Sequence, residues 1–245
     1  MNRVDILGIG VDAVEQGGLI GAVEKLMDKG GGTVAYANVH VVNQALSKPT
    51  LAQFLHDVDL VYCDGNGVRL GARILGQDLP ARMTGADWIW DLAAAAEGRW
   101  RVFWLGGEPG VSATAVAKLK ERHPALIIDS DHGYHQRTGP ENQACIERIN
   151  AFDPDILLVG MGTPEQEHWI AERRRQLNAN IVWCLGATAD VISGAEHRGP
   201  IWLTEQAEWI ARLAHNPQKM WRRYLLGNPL FLARVLRQRA GLAKP

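Results

Sequence analysis

The strongest constraint on how this chain can fold is a short apolar run, rich in β-branched and aromatic residues, that recurs between longer stretches of helical periodicity. Such runs stand at 33–38, 60–63, 101–105, 126–129, 156–159 and 181–185. Near-continuous apolar strands, each followed by a helical segment, imply a parallel sheet covered by helices on both faces and joined by right-handed crossovers. The expected class is therefore α/β, Rossmann-like in the loose sense. Thr84 with Asp87 three residues on reads as a capping box for a helix through residue 96, and Pro164 suits the first turn of a helix reaching about residue 177.

Beyond Gly199 the strand signals stop. Residues 202–214 are helix-patterned, and Asn216-Pro217 and then Asn228-Pro229 each read as an N-cap and first helical position, the second opening a helix over 230–239. On that last helix Phe231, Leu232, Val235 and Leu236 share an expected face, with Arg234 and Arg237 opposite. The chain thus divides into an α/β core over residues 1–195, in which 1–60 form an optional small subdomain, and a helical appendage over 196–245.

Charge sharpens this division. The whole chain carries 26 Lys and Arg against 27 Asp and Glu, a net of −1, which argues against a generally basic nucleic-acid binder. Residues 209–245 nevertheless hold eight basic residues and no acidic one, leaving 18 basic and 27 acidic in the remainder. Trp209, Trp221, Tyr224 and Phe231 lie among those cations, a composition suited to an anionic membrane interface and equally to a packed helical appendage or an oligomer contact. No apolar stretch reaches the roughly 18 residues that span a bilayer, and Asp5 and Asp12 interrupt the first apolar segment, against a signal peptide. A cytoplasmic location is expected. Cys63, Cys145 and Cys184 form no CxxC, so reduced thiols are expected rather than a disulfide scaffold or zinc ribbon.

In open parallel sheets ligands bind beyond the carboxyl ends of the strands. Four such ends here carry glycine: Cys63-Asp64-Gly65-Asn66-Gly67, the loop with Gly106 and Gly107, the loop with Gly160 and Gly162, and Leu185-Gly186. Glycines let backbone amides approach a ligand and the helix dipoles behind them favour anions, so a nucleotide diphosphate is a plausible guest, with tight turns as the bland alternative for any one loop. Asp64, just past a buried strand, suits a general base or a helix cap. Arg82 suits a phosphate or sugar ligand, or a surface cation.

Other motifs are weaker. Gly106, Gly107 and Gly110 miss the GxGxxG pattern although Asp129 lies near the spacing of a ribose-binding acid. Asp129-Ser130-Asp131 and Asp153-Pro154-Asp155 have DxD form; the second precedes a strand and reads as a turn, while the first has His132 and His135 beyond it. Neither a metal site nor a cofactor is assigned.

Taken in order, these loops resemble the WecG/TagA/CpsF family of bacterial glycosyltransferases. The resemblance rests on Asn38 in YANVH, on LVYCDGNGVRLGARILG followed by LPARMTGAD, on FWLGGEPG, DPDILLVGMGTPEQEHWI and CLGATADVISG, and on EWIARL and WRRYLLGNPLF near the end. It implies an inverting, DxD-independent transfer of a sugar from a UDP-sugar (ManNAc, ManNAc-uronate or glucose type) to a sugar on undecaprenyl diphosphate, in cell-surface polysaccharide or teichoic acid synthesis. It also implies Asp64 as catalytic base, Arg82, Gln166 and Asn38 in the pocket, and Arg212, Arg222 and Arg223 as cations of an appendage that meets the membrane-bound diphosphate at the inner face of the cell membrane. Two features depart from the family pattern: Tyr36 stands where some members have threonine, and Ala189 and Val191 flank Asp190 where aromatics are common. The competing readings are an NAD-dependent oxidoreductase built on the Gly106 loop and Asp129, and a non-catalytic peripheral membrane scaffold. The donor sugar, acceptor sugar and oligomeric state are left open, a homo-oligomer among them.

Overall fold

The computed structural model describes residues 2–15, 17–196, 213 and 217–242. The chain opens with an antiparallel hairpin, β1 (Arg3–Ile6) and β2 (Ile9–Asp12), which the sequence reading lacks. Val4, Ile6, Ile9 and Val11 bury its inner face, and the two turn residues Leu7 and Gly8 both adopt positive φ, as the twist of a two-residue hairpin requires. Asp12, nearly buried, accepts the Val61 N–H at 2.8 Å and so satisfies a donor on the sheet's edge strand.

After α1 (Gly18–Met27) come β3 (Gly32–Ala37), α2 (Val39–Ala45), α3 (Pro49–Asp57), β4 (Leu60–Cys63), α4 (Asn66–Ile74), α5 (Gly85–Ala96), β5 (Arg101–Gly106), α6 (Val111–Arg122) and β6 (Ile127–Asp131). Then follow α7 (Pro140–Phe152), β7 (Ile156–Gly160), α8 (Glu165–Arg173) with a single 3-10 turn after it, β8 (Ile181–Cys184) and α9 (Thr188–Ser193). The six strands β3–β8 form one parallel sheet in the order β4-β3-β8-β7-β5-β6, matching the six expected runs. Every residue of β4, β7 and β8 is buried, which is why these strands read as unbroken apolar runs rather than alternating ones. The two edges differ: β4 is packed by β2 of the hairpin, whereas on β6 Ile127 is exposed, and Asp129 and Asp131 share Arg148 as an ion-pair partner at 3.4 and 3.1 Å.

The appendage is described from Pro217 onward; the expected helix over 202–214, apart from Leu213, and Arg212 with it, lies outside the described residues. One continuous helical rod runs through α10 (Pro217–Trp221), a wide π turn (Arg222–Leu226) and α11 (Gly227–Arg239). This corrects the expected helix start at Asn228-Pro229. Pro229 has no N–H to donate four residues back, and the π turn immediately before it absorbs that loss without ending the helix. The rod's packing stripe also differs from expectation. Phe231 and Val235 are buried, a Cβ at Gly71 of α4 would sit 2.8 Å from the Phe231 ring, and Leu236 is exposed. Arg234, expected on the solvent side, instead donates to Asn43 Oδ1 at 2.7 Å, while Asn43 donates to the Gly227 carbonyl at 2.8 Å. Positions 227, 231, 234 and 238 follow one face at helical spacing. At its end Gln238 accepts the Leu7 N–H and donates to Asp5, tying the rod to the hairpin.

Candidate active site

From β3 the chain steps to β4 at one edge, then crosses back over the sheet to reach β5. The reversal leaves a crevice above the ends of β3, β4 and β8, where such topologies bind ligands. A cavity of about 920 Å³ occupies it, walled on the far side by the π turn and α11 through Arg223, Tyr224, Phe231 and Leu232.

Asn38 and Asp64 follow directly on β3 and β4. The Asp64 N–H bonds to the Ala37 carbonyl at 2.9 Å, extending the ladder by one residue and bringing the two side chains together. Asn38 then serves two purposes: its Oδ1 accepts the Val41 N–H at 3.0 Å as the N-cap of α2, and its Nδ2 donates to Asp64 Oδ2 at 3.1 Å. The N-cap position of α4 falls to the residue after Asp64. Gly65 holds that position with φ of 145°, a conformation open to glycine and not to L side chains, and this turn leaves the carboxylate on the cavity wall.

Tyr36 and Tyr62 line the cavity, and two tryptophans lie against Tyr62. Trp88 stacks on Trp183 with centroids 4.0 Å apart and donates through Nε1 to the Tyr62 hydroxyl at 3.2 Å; Tyr36 lies 6.2 Å from Tyr62. Burial, helped by the nearby Asp64 charge, pushes both phenols well above their ordinary range, so they act as neutral hydrogen-bonding groups. Arg82 lines the cavity from the segment between α4 and α5, which the Met83 N–H pins to the Cys63 carbonyl at 2.9 Å. Thr84 takes the N-cap position of α5, but its hydroxyl donates to Asp87 Oδ2 at 2.6 Å rather than accepting a backbone N–H.

The glycines divide. Gly162 and Gly186 line the cavity, whereas Gly106, Gly107 and Gly160 do not. A Cβ on Gly106 would strike the Gly160 carbonyl, and one on Gly160 the Gly186 carbonyl, so these residues permit strand tips to converge. Gln166 is likewise fully buried one layer behind the wall: its Oε1 accepts the Gly186 N–H at 3.1 Å and its Nε2 donates to the Tyr36 hydroxyl at 3.3 Å.

Sequence reasoning missed Glu167. It is buried, its Oε1 accepts from Thr163 Oγ1 at 2.9 Å and from Gln166 Nε2 at 2.8 Å, and its Oε2 has no partner among the described residues. Burial pushes its carboxyl up to about 7 against the opposing pull of those donors. The available signal was periodicity, since Gln166, Glu167, Trp169 and Ile170 together make the buried stripe of α8 and a carboxylate there is unusual.

At the mouth, His40 is brought down to about 4 by burial and then by the positive charges of Arg223 and Lys48. Arg223 lines the cavity with a buried Nε that has no partner among the described residues, while Arg222 is not among the lining residues and lies against Trp221 with its guanidinium 5.2 Å from the ring centroid. The cavity wall therefore gathers an oriented carboxylate, two arginines, Arg82 and Arg223, and the two neutral phenols. Cys63, Cys145 and Cys184 are all buried free thiols.

Two relatives from Staphylococcus aureus, of strains MRSA252 and MW2, are each named N-acetylglucosaminyldiphosphoundecaprenol N-acetyl-beta-D-mannosaminyltransferase. Each is 27% identical to this chain over 247 residues, covering 99% of it and 95% of the relative. The model of the family described as Glycosyl transferase WecG/TagA/CpsF matches residues 4–245, the hairpin and final rod included, and by that match the chain belongs to the WecG/TagA/CpsF family of glycosyltransferases.

Proposed function

We propose that this protein transfers an N-acetylmannosamine residue from its UDP derivative to N-acetylglucosamine carried on undecaprenyl diphosphate, with inversion at the anomeric carbon. The acceptor and transferred sugar follow the names of the two staphylococcal relatives. The observation that carries the chemistry is the Asp64 carboxylate, held by Asn38 at 3.1 Å on the wall of a cavity large enough for a nucleotide sugar. Asp64 accepts the acceptor hydroxyl's proton as its oxygen bonds to the anomeric carbon; the bond from that carbon to the phosphate oxygen breaks, and UDP leaves with the electron pair. Arg82 and Arg223 stabilise the charge gathering on the diphosphate. A single displacement needs no second nucleophilic carboxylate.

Membrane contact belongs to the rod. Trp221, Leu225, Leu226 and Leu230 expose apolar surface beside Arg222, and residues 209–245 contain no acidic side chain to repel anionic lipid. Among the described residues no helix is long and apolar enough to cross a membrane, so on this reading the rod lies at the surface of the bilayer. The test is incubation with UDP-N-acetylmannosamine and a lipid-diphosphate-linked N-acetylglucosamine, followed by mass analysis. A product heavier by one N-acetylhexosamine is expected; an unchanged acceptor with every UDP-sugar tried overturns the proposal.

A further inference from the structure

Behind the cavity wall runs a chain of polar groups that the transfer reaction does not use. Glu167 Oε1 meets Thr163 Oγ1 at 2.9 Å, and Thr163 Oγ1 meets the Tyr36 hydroxyl at 3.3 Å, where either oxygen can be the donor. Gln166 fixes the surroundings: its Oε1 is committed to the Gly186 N–H, so its Nε2 must donate, and it does so to both Glu167 Oε1 and the Tyr36 oxygen. Tyr36 and Thr163 both line the cavity.

We propose that Glu167 is a positioning residue whose protonation reverses this hydrogen-bond chain, and thereby decides whether the Tyr36 hydroxyl presents a proton or only a lone pair to the bound donor. With Glu167 ionised, Thr163 donates to Oε1, so Tyr36 must donate to Thr163 and has no proton left for a ligand. With a proton on Oε1, that oxygen donates to Thr163 and still accepts from Gln166; Thr163 then donates to Tyr36, and the phenolic proton is released toward the cavity. No heavy atom moves and no bond other than hydrogen bonds changes. Oε2, with no partner among the described residues, fits this arrangement, because a bare carbonyl oxygen is tolerated in an apolar setting far better than a bare carboxylate oxygen.

The groups that face Glu167 are few. Glu165 on its own helix disfavours ionisation; Tyr36 of β3 and Cys184 of β8 lie against it, with Tyr62 and Asp64 of β4 beyond Tyr36. The charged and titratable side chains His56 and Asp57 of α3, the helix packed along α8, are exposed. Glu167 is thus poised near neutrality by burial rather than by a partner ion.

The inference deepens the transferase reading, which supplies the ligand for one arm of its test. The first arm needs no ligand: carbon NMR of the Glu167 carboxyl and of Tyr36 Cζ across pH 5 to 9. The Tyr36 signal is expected to step as Glu167 titrates, and to lose that step in T163V and in E167Q, whose new side-chain oxygen accepts from Thr163 and Gln166 at every pH. The second arm measures UDP-N-acetylmannosamine binding without acceptor, a ligand whose diphosphate does not titrate near neutrality. Wild-type affinity is expected to fall about tenfold from pH 6 to pH 8, and E167Q to show the weaker value at both. A Tyr36 signal that stays flat while Glu167 titrates overturns the proposal, as does tight, pH-independent binding by E167Q, which would assign the effect to charge alone. Absence of binding at every pH in both proteins counts against the transferase reading and leaves the first arm to decide on Glu167.

Discussion

Asn38 Nδ2 lies 3.1 Å from Asp64 Oδ2 while Oδ1 of the same amide caps α2, so one side chain couples a helix start to the orientation of the carboxylate. The two jobs separate by substitution. D64N should leave the fold and UDP-sugar binding intact while turnover drops roughly 10²–10⁴-fold, the span usual for a lost general base. N38A should lower turnover and also cost about 1 kcal/mol of stability from the missing cap. Thermal melts alongside initial rates check both; near-normal turnover in D64N removes Asp64 from the chemistry.

Gly160 offers a contrast between folding and binding. Because a Cβ there meets the Gly186 carbonyl rather than open cavity, G160A should destabilise the protein by about 1–3 kcal/mol, the range of an overpacked core. The expected signature in denaturant titration is a lower midpoint, with substrate affinity close to wild type in the fraction that remains folded. Unchanged stability with lost affinity would reassign the residue to ligand contact.

The exposed apolar ridge of the rod is separable from its buried stripe. L225S/L226S should change stability by no more than about 0.5 kcal/mol, since both side chains already face solvent. It should nevertheless weaken sedimentation with anionic liposomes and slow transfer to a lipid-linked acceptor, while sparing a soluble short-chain acceptor. Equal activity on both acceptors would return the ridge to ordinary surface.

Stability should also report Glu167. Its folded pKa of about 7 lies above the unfolded 4.5, so the native state holds the extra proton in that window. Wild type therefore loses stability relative to E167Q as pH rises from about 4.5 through 7, and the difference is constant above. His40 acts oppositely: held down to about 4, it makes the unfolded chain the better proton binder, and stability falls as pH drops from 6.5 toward 4. Chemical denaturation of wild type, E167Q and H40N across pH 4 to 8 measures both slopes.

The six sheet strands were legible because strands buried on both faces must be almost wholly apolar, and Leu60–Cys63 or Ile156–Gly160 can hardly be anything else. The hairpin was hidden because its turn is Leu7-Gly8, with no Asn or Asp to announce it. Pro229 misled for a related reason, since the compensating wide turn has no sequence signature. At the site, Asp64 could be found from its place after a strand end, and Arg82 as a cation between two helical segments. The close backbone approach at Gly106 and Gly160 was not legible, because only the folded sheet shows which strand tips converge. Glu167 lay in plain sight as an acid on an apolar stripe, but its link to Tyr36 joins positions 131 residues apart.

The rod is a single helix thick, about 10–12 Å across, with Arg223 and Tyr224 on its inner side and Leu225 and Leu226 on its outer one. If its outer side rests on a bilayer, a diphosphate at the headgroup level reaches the reaction chamber by rounding one helix and never leaves its leaflet. Encounter with the acceptor then becomes a search in two dimensions. Its rate would follow the surface density of the carrier lipid, while the nucleotide donor continues to arrive from the bulk.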